Sequence, residues 1–220
     1  MHFSLPLVLV ALASAATSTL AATLSWDGTK IPNICSNDLY AIQCLGLPSS
    51  LHRDSSDATS HRSMNACRSP NRCAGSQDYG SCDEYPYASS AEGGAQAVTR
   101  CVPAHENSVQ GGTLSSFYTR NDIEQGDQYN VAFYNTRGLE YADGSCDNSG
   151  DEVRRRQLHP RDLLRMNTAA YSRRVFNTAE GHELVMFEPL SQPKALDRVL
   201  GTDAYLATEA RWVPIVNATM

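Results

Sequence analysis

Lysine is almost absent from this 220-residue chain, which contains only Lys30 and Lys194. The formal net charge is −6, from 24 acidic and 18 basic residues. That balance excludes a protein that coats nucleic acid by bulk electrostatic attraction, although a local basic rim can still dock on phosphates. The basic residues are nearly all arginines, whose planar guanidinium binds two phosphate oxygens at once. Composition alone assigns them no such role.

Long hydrophobic runs are also missing. The apolar stretch at residues 5–16 is too short to cross a bilayer core of about 30 Å, and no later segment approaches the roughly 18 apolar residues of a membrane helix. One small-x-small site lies at the end of this stretch, at 13–15, and a second follows it at 19–21. This pattern is typical of a secretory signal peptide. We therefore expect residues 1–21 to be a signal peptide and the mature protein to be secreted and extracellular, with no membrane partner.

The chain lacks the cysteine spacing of a zinc knuckle. Spacings such as 67–73 and 73–82 are too long for C-x₂₋₄-C, and no H-x₃₋₅-H accompanies them. In a secreted chain most thiols form disulfides, and an odd number leaves at least one thiol free. The pattern therefore predicts a disulfide framework rather than a zinc site. The seven cysteines are Cys35, Cys44, Cys67, Cys73, Cys82, Cys101 and Cys146.

The domain organisation follows from changes in composition along the chain. About 200 residues remain after the signal peptide, enough for one ordinary core. We divide them into an N-terminal lead-in (22–66), a central domain (67–140) and a C-terminal extension of unknown role (141–220). Turn-prone polar residues dominate 51–80, which favours a loop held by its cysteines.

The central domain is predicted to be α+β. Alternating apolar residues predict strands at Val98–Val102 and Gln128–Tyr134. Residues 107–118 fit either a short helix or a loop that enters a helix, because the Gly111-Gly112 pair weakens helix formation.

Chemistry is concentrated between residues 82 and 112, CDEYPYASSAEGGAQAVTRCVPAHENSVQGG. Phosphodiester hydrolysis needs a base that activates water, a divalent cation and a group that positions the scissile bond. If 82–88 and 98–102 form an antiparallel hairpin, the chain brings Asn107 back toward Asp83. Adjacent strand residues such as Asp83 and Glu84 then point to opposite faces. The oxygen donors of this segment, which suit a hard cation such as Mg²⁺, are Asp83, Glu84, Glu92, Glu106 and Asn107.

The strings C-D-E-Y-P-Y-A-x-x-x-E-G-G and R-C-V-P-x-x-E-N-x-x-Q-G resemble the NucA/NucB family of secreted deoxyribonucleases. The segment resembles the fungal members of this family in having cysteines at positions 82 and 101. The resemblance covers roughly residues 67–135, about a third of the chain. It implies a small, disulfide-stapled ββα-metal nuclease-like domain flanked by the two extensions. It also implies dependence on Mg²⁺ or Mn²⁺ and non-specific endonucleolytic cleavage of DNA.

The resemblance also implies roles for individual residues. In the family pattern an aspartate replaces the usual histidine base and an asparagine lies on the metal side; their matches here are Asp83 and Asn107. Glu84 and Gln110 also occupy motif positions. We therefore expect Asp83 and Glu84 to be catalytic, Asn107 to bind metal, and Gln110 and Arg100 to contact substrate.

Several alternatives stay open. His105 is a candidate base on chemistry alone, and Asn107 is equally suited to capping a helix. A non-catalytic, cysteine-stabilised secreted effector or binding protein on the same scaffold is the rival function, but such a scaffold is expected to lose part of the acid–amide set. A bridge between Cys82 and Cys101 would fix the hairpin that carries Asp83.

Two segments beyond the motif carry weaker signals. Residues 151–174 contain seven arginines and three acids, a net charge of +4, which fits a phosphate-facing rim or a solvated basic helix. Residues 143–151 have carboxylates at Asp143, Asp147 and Asp151 but lack the spacing and terminal glutamate of an EF-hand loop. We interpret the latter as a solvated turn.

Overall fold

The computed structural model describes residues 21–154 and 171–219. The predicted signal peptide and most of the arginine-rich segment, 155–170, lie outside these residues. The three α-helices are α1 (Pro32–Leu39), extended by a π-helical turn at Tyr40–Cys44, α2 (Ala58–Met64) and α3 (Ala104–Arg120). The strands are β1 (Ala22–Asp27), β2 (Ser50–His52), β3 (Ser81–Tyr85), β4 (Val98–Val102), β5 (Gln128–Tyr134), β6 (Val153–Arg154), β7 (Tyr171–Thr178), β8 (Glu183–Pro189), β9 (Asp203–Leu206) and β10 (Arg211–Thr219).

Seven of these strands form one sheet in the order β1-β9-β10-β7-β8-β5-β2. Strand β1 also pairs in parallel with β5 along its whole length, from Ala22 with Tyr129 to Asp27 with Tyr134, so the sheet closes on itself. The sheet therefore combines strands from both ends of the chain with the central strand β5, whose predicted bounds are confirmed.

The core lies on both sides of β5. Alternate residues of this strand, Tyr129, Val131 and Phe133, pack in one hydrophobic cluster with α1 and α3. The residues between them, Ala132 and Tyr134, pack in a second cluster formed with β7 to β10. Because side chains alternate along a strand, both faces of β5 are buried.

A second, three-stranded sheet has the order β3-β4-β6. The predicted hairpin is confirmed: β3 and β4 pair antiparallel, with Cys82 opposite Cys101 and Asp83 opposite Arg100. Helix α3 follows β4 directly and runs for 17 residues through Gly111 and Gly112, so residues 107–118 form a helix rather than a loop, and the helix is longer than expected. Packing of the buried Leu114 and Phe117 offsets the helix-weakening effect of the two glycines.

Three disulfides staple the fold, and one of them corrects a prediction. Cys82 and Cys101 do not bond to each other. Cys67 bonds to Cys82, and Cys73 to Cys101. Cys82 and Cys101 lie opposite each other on the hairpin, and each forms a disulfide with a cysteine of the polar segment 65–80. These two bonds hold that segment to both strands.

The remaining cysteines complete the framework. Cys44 bonds to Cys146 across 102 residues, and Cys35 is the free, buried thiol that the odd count required. The α+β class and the disulfide stapling are thus confirmed, but the largest element is a closed sheet that a compact ββα unit does not include. Among the described residues, no helix combines the length and the apolar character needed to cross a membrane.

Candidate active site

A cleft of about 390 Å³ opens between strand β3, helix α3 and the chain near helix α2. Sequence reasoning placed Asp83, Glu84, Asn107 and Gln110 in one site, and the structure brings all four to this cleft. Its other lining residues are Arg53, Ser55, Arg62, Cys82, Tyr87, Ala88, Ser89, Gly111, Leu114, Ser115, Tyr118 and Thr119.

Asp83 lies in the middle of β3 and is only 2% exposed. Its Oδ2 accepts a 2.9 Å hydrogen bond from Nδ2 of Asn37 on α1, whereas Oδ1 has no hydrogen-bond partner among the described residues. Burial raises the pKa of Asp83 to about 7, the bond from Asn37 opposes this rise, and the neighbouring Glu84 charge adds to it. A carboxylate that titrates near neutral pH with one free oxygen is suited to accept a proton.

A buried polar network lies next to the Asn37–Asp83 hydrogen bond. Asp38, the residue after Asn37, is fully buried and accepts a 2.8 Å hydrogen bond from the hydroxyl of Tyr87, which in turn accepts one of 2.7 Å from Nε1 of Trp26. Burial, with the nearby Asp83 charge, raises the pKa of Asp38 well above its usual range.

Glu84 faces a different neighbour from Asp83, as the strand alternation predicted. Its Oε1 lies 3.2 Å from Nε of Arg62 on α2, and Glu84 is 8% exposed whereas the Arg62 side chain is 60% exposed. Burial raises the pKa of Glu84, and the Arg62 charge opposes this rise. The pair places a solvent-accessible guanidinium at the rim of the cleft.

Asn107 and Gln110 project from the first turns of α3. Nδ2 of Asn107 donates to Oγ of Ser81 at 2.8 Å and to the carbonyl oxygen of Cys82 at 2.9 Å, which fixes the helix against β3. The carbonyl oxygen Oδ1 of Asn107 receives no protein hydrogen bond among the described residues. Gln110 is 7% exposed, and its side chain lies close enough to Asp83 to lower the pKa of that carboxyl.

Two further acids of the motif have structural partners instead. Glu106 is buried and accepts hydrogen bonds from the backbone amide of Asn33 at 2.9 Å and from its Nδ2 at 2.6 Å, so it caps the start of α1. Glu92 accepts hydrogen bonds from the backbone amide of His52 at 3.0 Å and contacts its Nδ1 at 2.7 Å. Together these acids fix α3 and the turn around the cleft.

The adjacent glycines of the E-G-G string are required by space and by backbone conformation. A Cβ on Gly93 would lie 2.5 Å from the carbonyl oxygen of Tyr87, and Gly94 has a φ of +85°. The turn therefore packs closely under the segment that carries Tyr87, which lines the cleft.

Two candidates lie away from the cleft. Arg100 is 7% exposed, and its Nη1 is engaged by Glu140 and, at 2.7 Å, by Glu152, so the structure gives it a scaffold contact rather than the expected substrate contact. The reason is topological: β6 and the preceding loop cover this part of β4. His105, the alternative candidate base, lines a separate depression and does not line this cleft.

Arg53 is a cleft residue that sequence reasoning missed. Its guanidinium carbon lies 4.9 Å from the ring centroid of Tyr118, Nε donates to Oγ of Ser55 at 3.1 Å, and Nη1 donates to the carbonyl of Ile123. No local signal marked it, because it lies in a polar segment interpreted as loop. Only the pairing of β2 with β5 brings it beside α3.

The donor set fits a hard divalent cation held by few protein ligands. Among the described residues, no three His, Cys, Asp or Glu side chains cluster as a metal cage. Mg²⁺ commonly keeps several waters and needs only one or two protein oxygens. The carbonyl oxygen of Asn107, which accepts no hydrogen bond among the described residues, is an oxygen donor of this kind, and Asn107 lines the same cleft as Asp83.

Comparison with known proteins agrees with the geometry. Residues 38–132 match the model of the family described as Deoxyribonuclease NucA/NucB, and this range contains Asp38, β3, β4 and the whole of α3. No curated protein matches the chain. Residues 38–132 of this chain are therefore similar to the NucA/NucB deoxyribonuclease family.

Proposed function

We propose that this protein is a secreted, metal-dependent, non-specific endonuclease that hydrolyses phosphodiester bonds of DNA. The observation that carries the proposal is the buried Asp83, which lies in the same cleft as Asn107, Arg53 and Arg62. Its Oδ1 has no hydrogen-bond partner among the described residues, and its pKa is raised. Similarity to the NucA/NucB family supports DNA as substrate. Three disulfides support an oxidising, extracellular location.

In this proposal Asp83 is the general base. Asn37 holds Oδ2, so Oδ1 is the atom that accepts the proton from the attacking water. Glu84, paired with Arg62, keeps the rim guanidinium beside the cleft, where it can contact a phosphate oxygen.

Asn107 and Gln110 complete the proposed site from α3. The carbonyl oxygen of Asn107, together with water molecules, would hold Mg²⁺ or Mn²⁺, and the cation would supply positive charge to the phosphate in the transition state. Gln110 lines the cleft beside Asp83, whose pKa it lowers, so it would position the base next to the bound phosphate. In this proposal the strand–strand–helix unit β3, β4 and α3 would carry the site as in a ββα-metal nuclease.

Digestion of supercoiled plasmid by the mature protein, beginning at residue 22, tests the proposal. We expect nicking and degradation with Mg²⁺ or Mn²⁺, none in EDTA, and a loss on the order of 10²–10⁴-fold in Asp83→Asn. Asp203→Asn, at an exposed position of β9, is the matched control and should remain fully active. Cleavage undiminished in EDTA would overturn metal dependence, and no cleavage with any metal would favour the non-catalytic effector.

A further inference from the structure

Helix α3 carries two adjacent glycines that differ in what they face. Gly111 lines the cleft, whereas Gly112 lies on the outer side of the helix, in the depression that includes Lys30 and His105. A Cβ added to either glycine would meet no atom within 4 Å, and neither has a positive φ. Packing within the protein therefore requires glycine at neither position, although glycine weakens a helix interior.

Gly111 belongs to a continuous face of α3 that lines the cleft. Its members recur every three or four residues, the spacing of one helix face. From the first to the last, twelve residues later, this face is about 18 Å long, which matches the axial rise of roughly five nucleotides in duplex DNA. The face is longer than one phosphodiester needs. Its members are Asn107, Gln110, Gly111, Leu114, Ser115, Tyr118 and Thr119.

The two ends of this face carry different chemistry. At one end Asn107 lies beside β3 and its carboxylates. At the other end Tyr118 is covered by the guanidinium of Arg53, which is held in place by Ser55 and Ile123. Nη2 of Arg53 makes no hydrogen bond within the described part of the chain. A cation fixed in this way, with free N–H groups, is pre-organised for a phosphate oxygen.

We propose that one strand of the DNA substrate lies along this face of α3, with its sugar–phosphate backbone passing over Gly111 and a phosphate beyond the scissile one bound by Arg53. The inference rests on the proposed nuclease function. It explains the cleft-facing glycine by close approach of the ligand backbone. The hydroxyl of Ser115, between the two ends, is a donor for a phosphate oxygen, a contact that carries no sequence information.

The glycine pair provides a matched experiment. We expect Gly111→Leu to lower kcat/KM on a 12-nucleotide single strand by about tenfold or more, because the added side chain occupies the path of the strand. Gly112→Leu makes the same chemical change on the outer face and should stay within about twofold of wild type. Thermal melting of both variants checks that the helix is intact.

Arg53 provides the second arm. Arg53→Ala should lower kcat/KM on the 12-mer and reduce the log–log salt slope of binding by about 1, while cleavage of thymidine 5′-(p-nitrophenyl phosphate), which has no second phosphodiester, changes little. Arg120→Ala, an exposed arginine of α3 outside the cleft, is the control.

Binding separates this inference from the nuclease proposal. Fluorescence anisotropy of a labelled 12-mer in EDTA needs no catalysis, so it reports on the groove even if wild-type protein cleaves neither substrate. Weaker binding by Gly111→Leu and Arg53→Ala, with Gly112→Leu and Arg120→Ala unchanged, supports the groove. Equal effects of the two glycine variants, or no loss of binding in Arg53→Ala, would overturn it.

Discussion

Nδ2 of Asn37 donates a 2.9 Å hydrogen bond to Oδ2 of Asp83, although 46 residues separate the two in the chain. The bond joins helix α1 to strand β3 beneath the cleft, and both residues are buried. One oxygen of Asp83 is therefore held by the scaffold, while Oδ1 has no hydrogen-bond partner among the described residues.

The first prediction concerns this bond. Asn37→Leu removes the donor at similar volume, so the ionised form of Asp83 loses a charge-assisted hydrogen bond of about 1.5–3 kcal/mol. The acid limb of the kcat/KM profile should then move upward by about 1–2 pH units. An unchanged profile with lower activity at every pH would mean that Asn37 acts only on folding.

The second prediction is the pH dependence of cleavage. A general base works when ionised, and burial raises the pKa of Asp83 to about 7. Activity should therefore be low at acid pH and rise with pH through the neutral region. A bound cation would move this rise in activity to lower pH. Initial rates on plasmid between pH 5 and 9 measure this; constant activity down to pH 5 contradicts it.

The third prediction links the same carboxyl to stability. The folded pKa, about 7, exceeds the ordinary 3.8, so the folded state binds more protons between these values and stability is lost as pH rises through them. The loss corresponds to about 4 kcal/mol at most. In EDTA, Asp83→Asn should therefore be destabilised less than wild type when pH rises from 4 to 8. Urea unfolding at both pH values measures the difference; parallel losses would contradict the raised pKa.

The fourth prediction concerns the staples of the hairpin. Non-reducing peptide mapping should recover Cys67 with Cys82 and Cys73 with Cys101. Replacing Cys67 and Cys82 together by alanine opens a loop with a sequence separation of 15, and should lower the free energy of unfolding by about 3 kcal/mol. A Cys82–Cys101 peptide would contradict this connectivity. Cys35→Ser, at the free thiol, should keep all three bridges.

The fifth prediction concerns residues after 170. Leu184 of β8 is fully buried in the cluster around Ala132 and Tyr134, so Leu184→Ala should lower the free energy of unfolding by about 2–5 kcal/mol. Leu190→Ala, where the side chain is 57% exposed, is the matched control and should have little effect. Truncation after Gly150 removes β7 to β10 and should abolish cooperative unfolding; a truncated protein with full activity would show that these strands are dispensable.

The sequence by itself determined the local features whose causes are local. Alternation of apolar residues located β4 and β5, and the odd cysteine count required the free thiol. The acid and amide residues of the 82–112 segment predicted one site because a hairpin returns the chain to its start, and the structure gathers Asp83, Glu84, Asn107 and Gln110 in one cleft. Their assigned roles stay predictions.

Only the tertiary structure decided the features that depend on contacts between distant residues. Disulfide partners depend on which loop covers the hairpin, so the cross-strand pairing of Cys82 with Cys101 did not predict a bond between them. The pairing of β2 with β5 places Arg53 in the cleft. An ion pair with Glu152, which is distant in sequence, holds Arg100 outside the cleft. The buried state of Asp83, which raises its pKa, comes from elements on both sides of it in the chain, and no pattern within its own segment encodes that burial.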